Sequence, residues 1–488
     1  MNWKLIFKIQ GLILVVVGAM MSIPLIFSFY YRSSDILSLS FSIFLTILVG
    51  VLFLFIFKSK KRIRAREGFA SVSLGWIMAS CFGALPFYLE GTMGSYINCV
   101  FESMSGFTTT GATILKDIEV LPKGVLFWRS LTHWLGGMGI ILLTIAVLPM
   151  LGISPGQLYN AEVPGPIKGR LRPKIRDTAV ILWLIYLSMT VIETILLMFG
   201  GMNLYDSLCH TFGTLGTGGF STRNSSVGGF HSIYIEIVII VFMYLSGINY
   251  TLHFYLIKGR FRNFLKNSEW RFYTSILFAA VIMISLNIYF AGPVEYRGDY
   301  IKSLRDSAFQ VVSITTTTGY VTADFNLWPS FSGLLLVLMM FFGGSAGSTG
   351  GGLKQIRVLI MIKHIYHEVE KMAYPRAVFS LKVGGDSIEE RVVKNVVVFF
   401  ILFMFFFGGI TIFLALMGYD IVTCFSASIA TLGNIGPGLS RVGAVENYSF
   451  FDPYSKVVLI FAMLLGRLEI FSVLILMYSL TIKKNSHF

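Results

Sequence analysis

The stretch "FESMSGFTTTGAT" (residues 101–113) lies between two long apolar runs, yet it is rich in Ser, Thr and Gly and contains Glu102. Apolar runs of about 20 residues are long enough to cross a bilayer as helices. Backbone N–H and C=O groups at that depth must be hydrogen-bonded, so non-helical chain survives only where protein buries it or where it lines a wet cavity. This glycine-broken segment therefore needs partners elsewhere in the chain.

The composition indicates a polytopic membrane protein. The 488 residues are 55% apolar and 13% charged, with a mean hydropathy of +0.74, whereas soluble domains carry about 25% charged residues. The four cysteines show no CxxC or Cys/His spacing, so we expect neither a disulfide framework nor a zinc site. We see no nucleophile–base set and no cofactor motif, and therefore expect no enzyme and no bound cofactor.

Ten segments are long enough to span the membrane. They lie near residues 7–30, 37–58, 68–90, 124–150, 177–200, 231–257, 272–292, 329–360, 393–417 and 454–482. The first is longer than a signal-peptide core and lacks an A-x-A cleavage site, so we interpret it as an uncleaved spanning helix.

The basic residues predict the orientation. If every segment spans once, 27 of the 39 Lys and Arg fall on one side: six in 58–66, five in 168–176, five in 258–271, seven in 357–394 and two near each terminus. That side is predicted to be cytoplasmic, with both termini inside. The net charge of +14 is thus a topology signal. Attraction to lipid headgroups is a secondary expectation, and we expect no nucleic-acid partner.

After the first helix pair, one pattern occurs four times: a spanning segment, a short segment, a Gly/Thr-rich stretch and a second spanning segment. The Gly-rich stretches are "TTTGAT" (108–113), "LGTGGFST" (215–222), "TTTTGYVT" (315–322) and "LGNIGPGLS" (432–440). Their shared core is Thr109-Thr110-Gly111, Gly216-Thr217-Gly218, Thr317-Thr318-Gly319 and Asn434-Ile435-Gly436, with the last glycines 107, 101 and 117 residues apart. We therefore divide the chain into a helix hairpin (1–67) and four repeats (68–150, 151–257, 258–360 and 361–488).

Four such stretches satisfy the backbone requirement if the repeats surround one axis. Rings of carbonyl oxygens replace the hydration shell of an ion in potassium channels, and glycine permits the φ values that aim successive carbonyls inward. The preceding short segments resemble half-helices, with Asn98, Asp206, Asp306 and Thr423 as expected N-caps. The alternative, four helix hairpins with polar turns, gives no reason for a fourfold repeat.

The predicted fold class is an all-α polytopic membrane protein with ten spanning helices: an N-terminal pair plus four pseudo-fourfold repeats, each a spanning helix, a pore helix and a second spanning helix, around one pore. Glu102 is expected to bond to backbone behind the predicted filter, and direct ligation of the ion is the alternative. It has no acidic counterpart in the other repeats, where we align it with Cys209, Gln310 and Ala427.

The eighth segment is predicted to break, because it holds six glycines between residues 343 and 352, each costing a helix about 1 kcal/mol against Ala. We predict a gate beneath the filter, formed by Gly343, Gly344, Ser345, Gly347, Ser348, Thr349, Gly350, Gly351 and Gly352. Close packing of small residues against a neighbouring helix stays open as an alternative. A phosphate loop is excluded, because no GK[ST] follows.

Arg467 is predicted to belong to the same gate. It lies about 21 Å along the tenth segment, the depth at which Gly343 lies in the eighth. A charge at that depth costs at least ~2.5 kcal/mol, so it needs a partner or a wet cavity. Glu469 is two residues away, a spacing at which helical side chains do not face each other. We therefore expect Arg467 to line the pore and repel cations.

These four units, together with "HWLGGMGIILL" (133–143), "GGSAGSTGGGLK" (343–354) and "GRLEIF" (466–471), resemble the Trk/Ktr/HKT superfamily of potassium transporters over essentially the full chain. The extra N-terminal pair is similar to the TrkH/TrkG type. The resemblance implies a potassium-uptake subunit of a bacterial inner membrane. It also implies a homodimer with one pore per protomer and a cytosolic nucleotide-binding regulator of the TrkA type.

Within that family, sodium-preferring plant members carry Ser at the first filter glycine, so Gly111 favours potassium. Our alignment puts Gly216 where other repeats have Thr or Asn, so that corner of the filter would lack a side-chain oxygen. Discrimination between ions would then be weaker than in a fourfold-symmetric filter. A sodium-permeable or sodium- or proton-coupled transporter of the same architecture is the alternative. A carrier built on inverted repeats is disfavoured, because all four repeats run in the same direction.

Overall fold

The computed structural model describes residues 1–58, 64–139, 175–375, 380–384 and 386–481, which are predominantly helical. The N-terminal part comprises α1 (Trp3–Met20), α2 (Ser22–Tyr31) and α3 (Ile36–Ile56). The first two form one apolar span. Helices α1 and α3 pack with their backbones close together: a Cβ placed on Gly11 would lie 2.7 Å from the Gly50 carbonyl oxygen. Small residues permit this approach in membranes, where helices gain little from burying apolar side chains.

Four repeats follow. The first contains α4 (Ala65–Gly83), α5 (Leu85–Leu89), α6 (Tyr96–Phe107), α7 (Lys123–Trp134) and a π-helical turn, Leu135–Gly139. The second contains α8 (Ile175–Phe199), α9 (Leu204–Gly216), α10 (Ile233–Ser246), α11 (Tyr250–Ile257) and the connecting α12 (Phe261–Leu265). The third contains α13 (Ser268–Ala291), α14 (Tyr300–Thr315), α15 (Ser330–Phe342) and α16 (Gln355–Ala373). The fourth contains the two-stranded β1 (Lys382–Val383) and β2 (Asp386–Ser387), then α17 (Glu390–Leu416), α18 (Ile421–Leu432), α19 (Pro453–Arg467) and α20 (Phe471–Thr481).

The four short helices α6, α9, α14 and α18 lie at the centre and are buried along most of their length. The long helices α13 and α17 lie outside, with only 28% of their apolar windows buried. The second helix of each repeat packs on the short helix of the next: α7 on α9, α10 on α14, α15 on α18, and α19 back on α6. The repeats therefore close into a ring.

The predicted spans need two corrections. Six helices among the described residues are long and apolar enough to cross a membrane, and two further pairs qualify only as bent spans. The predicted straight spans 231–257 and 454–482 are these pairs, bent by 102° between α10 and α11 and by 111° between α19 and α20. The predicted segment 329–360 breaks between α15 and α16, as its glycines predict. The predicted segment 124–150 extends beyond the described residues.

The bends have local causes. In the first, Asn249 caps α11, its Oδ1 accepting from Thr251 N at 2.8 Å, so a new helix starts there. In the second, Glu469 and Ile470 have φ values of +55° and +54°, which turn the chain out of the helix. Such values are unusual for side chains other than Gly and Asn, and especially for a β-branched one.

The short helices begin earlier than predicted. Their N-caps are Ser95, Asn203, Asp299 and Asp420, not Asn98, Asp206, Asp306 and Thr423. In each helix the capping oxygen accepts from the backbone N–H three residues on, and the earlier residue satisfies that donor.

The N-terminal contact gives a test. We expect Gly11→Ala to lower the melting temperature of the purified protein, because the new methyl group meets the backbone of α3. Gly408→Ala is the matched control, since a Cβ at Gly408 meets nothing within 4 Å; it should leave the temperature unchanged or raise it, as Ala favours helix. Thermal unfolding in detergent measures both. Equal melting temperatures for the two variants would contradict the close approach.

Candidate functional site

After each short helix comes a stretch of six non-helical residues, which we name segments 1 to 4: residues 109–114, 217–222, 317–322 and 434–439. All four begin with a buried residue in the left-handed region: Thr109 (φ 55°), Thr217 (54°), Thr317 (61°) and Asn434 (55°). Left-handed Thr is strained by about 1–3 kcal/mol, and such strain is typical of functional sites.

The backbone hydrogen bonds repeat in all four places. The left-handed residue donates to the carbonyl three residues back, at 3.1–3.2 Å, and the next residue donates to the carbonyl five back, at 2.8 Å. This pair of bonds is the Schellman motif that ends a helix. The residue that follows the left-handed residue lies off the helix axis, so its carbonyl oxygen is not used in the helical hydrogen-bond pattern.

The four segments meet in cyclic order. A Cβ placed on Gly111 would overlap the Gly218 carbonyl oxygen, and one on Gly436 would lie 2.7 Å from the Thr110 oxygen. The remaining contacts are Gly219 with the Thr318 oxygen and Gly319 with the Ile435 oxygen. Segment 1 thus touches 2, 2 touches 3, 3 touches 4, and 4 touches 1.

This geometry corrects the alignment of the second repeat. Gly216 is the last residue of α9, and the residue equivalent to Thr109 is Thr217. The second triplet is therefore Thr217-Gly218-Gly219, not Gly216-Thr217-Gly218. The φ of Gly219 is +75°, close to the +80° of Gly111 and Gly319. The second segment consequently has a threonine at its first position, as segments 1 and 3 do.

A cavity of about 130 Å³ adjoins the ring and supports the corrected alignment. Its lining includes one glycine from each segment, Gly111, Gly219, Gly319 and Gly436, and also Arg129. The four glycines thus face one common space, and Gly219 is the member from the second repeat.

The corrected alignment also changes the counterpart of Glu102. Nine residues before each glycine lie Glu102, His210, Gln310 and Ala427, so His210 and not Cys209 is the second member. Glu102 Oε2 accepts from Ile114 N at 2.9 Å, as expected for a residue bonding to backbone. His210 Nε2 lies 2.9 Å from Ser221 Oγ. Gln310, with its amide turned, accepts from the N–H groups of Thr322 and Ala323 at 3.0 and 3.1 Å.

Beneath the ring lies the glycine loop, residues 343–354, which joins α15 to α16 and is largely buried. It bonds to the break between α10 and α11: Ser345 N donates to Gly247 O at 2.8 Å, and Gly347 O accepts from Tyr250 N at 3.0 Å. Thr349 Oγ1 donates to Ser246 O at 3.3 Å.

The predicted gate glycines have two roles: some allow the backbone of the loop to turn and pack on itself, and others allow the loop to lie against the ends of two short helices. Gly343 and Gly352 have φ near +70° and pack on each other's backbone, and Gly344 O accepts from Gln355 N at 3.0 Å. Gly350 and Gly351 lie against Thr316 O and Gly433 O, where a Cβ would not fit. Ser348 Oγ donates to Ser345 O at 2.6 Å.

The loop also touches the segments directly. Gly351 N donates to Thr317 Oγ1 at 2.7 Å. Arg467, at the end of α19, donates to Thr349 O at 2.8 Å and to Thr109 Oγ1 at 3.1 Å. It also donates to the carbonyls of Gly136 and Gly137 in the π-helical turn. The residues predicted for a gate are therefore in contact with those predicted for a filter.

Sequence reasoning missed three functional candidates: Arg129, Asn434 as a side-chain donor, and the ion pair of Glu469. Asn434 Nδ2 donates to Thr110 Oγ1 and to Met463 O, both at 2.9 Å. Glu469 pairs with Arg357 at 2.5 Å, so the acid next to Arg467 has a long-range basic partner on α16. No sequence spacing indicated these long-range contacts.

Comparisons with known proteins agree with this architecture. Residues 38–487 match the TrkH family of cation transport proteins. The chain is 38% identical over 480 residues to the Trk system potassium uptake protein TrkH of Escherichia coli, covering 98% of each chain. It is 34% identical to TrkG of the same organism over 93% of each chain. The crystal structure of the potassium transporter TrkH from Vibrio parahaemolyticus superposes with a TM-score of 0.87 at 35% identity over 98% of both chains. The chain therefore belongs to the TrkH family of cation transport proteins.

Proposed function

We propose that this protein takes up potassium across the bacterial cytoplasmic membrane through a pore in which segments 1 to 4 form the selectivity filter. The observation that carries the proposal is the cyclic contact of the four segments around one cavity. Carbonyl oxygens released by the left-handed residues supply ligands that replace the hydration shell of a cation. The relatives named above as potassium uptake proteins support potassium as the ion.

The proposed filter residues are Thr109, Thr110, Gly111, Thr217, Gly218, Gly219, Thr317, Thr318, Gly319, Asn434, Ile435 and Gly436. The short helices support a cation, since the C-terminal end of a helix carries about half a negative charge. The second repeat does not weaken the filter in the way that the sequence alignment suggested, because Thr217 occupies its first position.

A decisive experiment is rubidium uptake into proteoliposomes with potassium, sodium and a protonophore varied. External potassium should compete with rubidium, and sodium should not. Equal competition by sodium would favour the sodium-permeable alternative, and collapse of uptake by the protonophore at a clamped membrane potential would favour proton coupling.

The glycine loop and Arg467 are proposed as the gate. The loop packs beneath segments 3 and 4, and Arg467 ties it to Thr109 of segment 1. A cationic guanidinium at this depth also opposes the passage of another cation. Opening then requires the loop to leave Arg467 and Thr317.

We propose the partners from the family resemblance and the orientation from the distribution of basic residues. The chain works as a homodimer with one pore per protomer and with a cytosolic nucleotide-binding regulatory subunit of the TrkA type. Both termini face the cytoplasm, where the basic connections meet anionic lipid headgroups. The relatives' designation as parts of a Trk system supports association with further components.

Gly111→Ser tests the filter. We expect potassium flux to fall strongly and the potassium-to-sodium ratio to drop by about tenfold, equivalent to about 1.4 kcal/mol of differential binding, because a Cβ there overlaps the Gly218 carbonyl. Gly91→Ser is the matched control: its φ is +74°, close to the +80° of Gly111, but a Cβ meets nothing within 4 Å. Reversal potentials measure the ratio. An unchanged ratio in well-folded Gly111→Ser would remove segment 1 from the filter.

Arg467→Ala tests the gate. We expect rubidium flux to rise several-fold, because the loop carbonyl of Thr349 loses its anchor and the positive charge is gone. Arg467→Lys keeps the charge but cannot reach all four acceptors, so an intermediate flux would separate anchoring from repulsion. Arg271→Ala, an exposed arginine on the α13 helix, should leave flux unchanged. Equal flux in Arg467→Ala and the unaltered protein would remove Arg467 from the gate.

A further inference from the structure

A buried ion pair lies behind segments 1 and 2. Arg129 Nε of α7 lies 2.7 Å from Glu102 Oε1 of α6, and the two side chains are 1% and 0% exposed. Breaking a buried pair by removing one partner leaves an uncompensated charge and is strongly destabilising. The two groups therefore have to be considered as one unit.

The acidic half of the unit holds segment 1. Glu102 Oε1 also accepts from Thr113 Oγ1 at 2.8 Å, and Oε2 accepts from Ile114 N at 2.9 Å. Both partners lie within three residues after Gly111. The carboxylate thus fixes the chain where it leaves the ring of glycines.

The basic half reaches segment 2. Arg129 Nη1 donates to Ser221 O at 3.2 Å, and the guanidinium carbon lies 3.5 Å from the centroid of the Phe220 ring. These two residues directly follow Gly219. One planar guanidinium therefore bridges two neighbouring segments at the same level, which a point charge on a flexible stem does not reproduce.

The other junctions, as far as the described residues extend, are joined by uncharged groups. Segments 2 and 3 are linked by Tyr320 OH, which donates to Phe220 O at 3.2 Å. Segments 4 and 1 are linked by Asn434 Nδ2 and Thr110 Oγ1. Asn326 and Ser440, just beyond segments 3 and 4, exchange two hydrogen bonds. The charged brace is thus specific to the junction of segments 1 and 2.

The position of Arg129 also affects the electrostatic potential along the proposed cation route. It lines the cavity that the four glycines share, so its charge lies beside the route of an entering cation. Glu102 neutralises that charge at 2.7 Å. Without the carboxylate, a bare guanidinium would repel the ion in a low-dielectric surrounding.

We propose that Arg129 is a positioning residue for ion selection that sets the spacing between segments 1 and 2. Glu102 neutralises its charge. This inference rests on the proposed function. Discrimination between potassium and sodium depends on the number, field and separation of the coordinating oxygens. Because the Arg129–Glu102 pair contacts two of the four segments, it affects the separation of the oxygens that determines selectivity.

The test is the potassium-to-sodium permeability ratio of Arg129→Lys, measured from bi-ionic reversal potentials in planar bilayers. Lysine keeps the charge beside Glu102 but loses the bond to Ser221 and the planar stack on Phe220, so the ratio should fall several-fold toward unity. Arg305→Lys is the matched control, because Arg305 pairs with Glu236 at 3.0 Å and touches none of the four segments. Its ratio should equal that of the unaltered protein.

A second variant keeps the inference testable if Arg129→Lys does not fold. Glu102→Gln combined with Arg129→Met removes both charges, and replacing a whole buried pair by neutral groups is often tolerated. This double variant should fold and conduct with a lowered ratio, whereas Glu102→Gln alone should also lose rubidium flux because the guanidinium is left bare.

A folded Arg129→Lys or double variant with an unchanged ratio would overturn the positioning role, and so would an equal fall in Arg305→Lys. Absence of selective potassium flux in the unaltered protein would overturn the proposed function and this inference together.

Discussion

The need to satisfy backbone polar groups inside a membrane governs this structure. The C-terminal end of each short helix is buried inside the protein, where its last carbonyls need partners from the chain itself. A left-handed Thr or Asn closes every one of these helices with two backbone hydrogen bonds. The chain then leaves the helix axis, and the carbonyl oxygen of the second residue in each segment lies close to the glycine of a neighbouring segment. Because the same closure occurs four times, the four segments can form a ring.

The closure of the short helices also constrains the second spanning helix of each repeat. The second helices approach the ends of the short helices so closely that only glycine fits at the contact: Gly136 lies against Phe107 O and Gly466 against Leu432 O. In the third repeat the helix itself is replaced by the glycine loop, which puts Gly351 on Gly433 O. A helix that has to present bare backbone at one point is easily broken there. The breaks in all the second helices that are described to the end therefore lie just beneath the ring.

The repeats could be predicted because their pattern is local: a helical run, a glycine and a second run recur at similar spacing. The second alignment was wrong because "GTGG" offers two triplets ending in glycine, and the left-handed position is held by Thr217, a residue that sequence rules do not place there. The polar residue nine positions before the glycine, His210 beside Glu102 and Gln310, was the signal that could have decided it. The bend at Glu469 and Ile470 could not be predicted, since neither residue favours a positive φ.

A single chain allows the four corners to differ, and the differences are concentrated where they touch the ring. Arg129 and Glu102 lie behind segments 1 and 2, and Arg467 lies beneath segment 1 while holding a loop from the third repeat. A symmetric tetramer would have to place four arginines beneath the ring, and their mutual repulsion in a low-dielectric core would oppose a compact ring. A single arginine there avoids that cost and is surrounded by carbonyl oxygens, whereas the arginine behind segments 1 and 2 is paired with a carboxylate. The asymmetry of the repeats is thus a physical condition for having charged groups this close to a cation pathway.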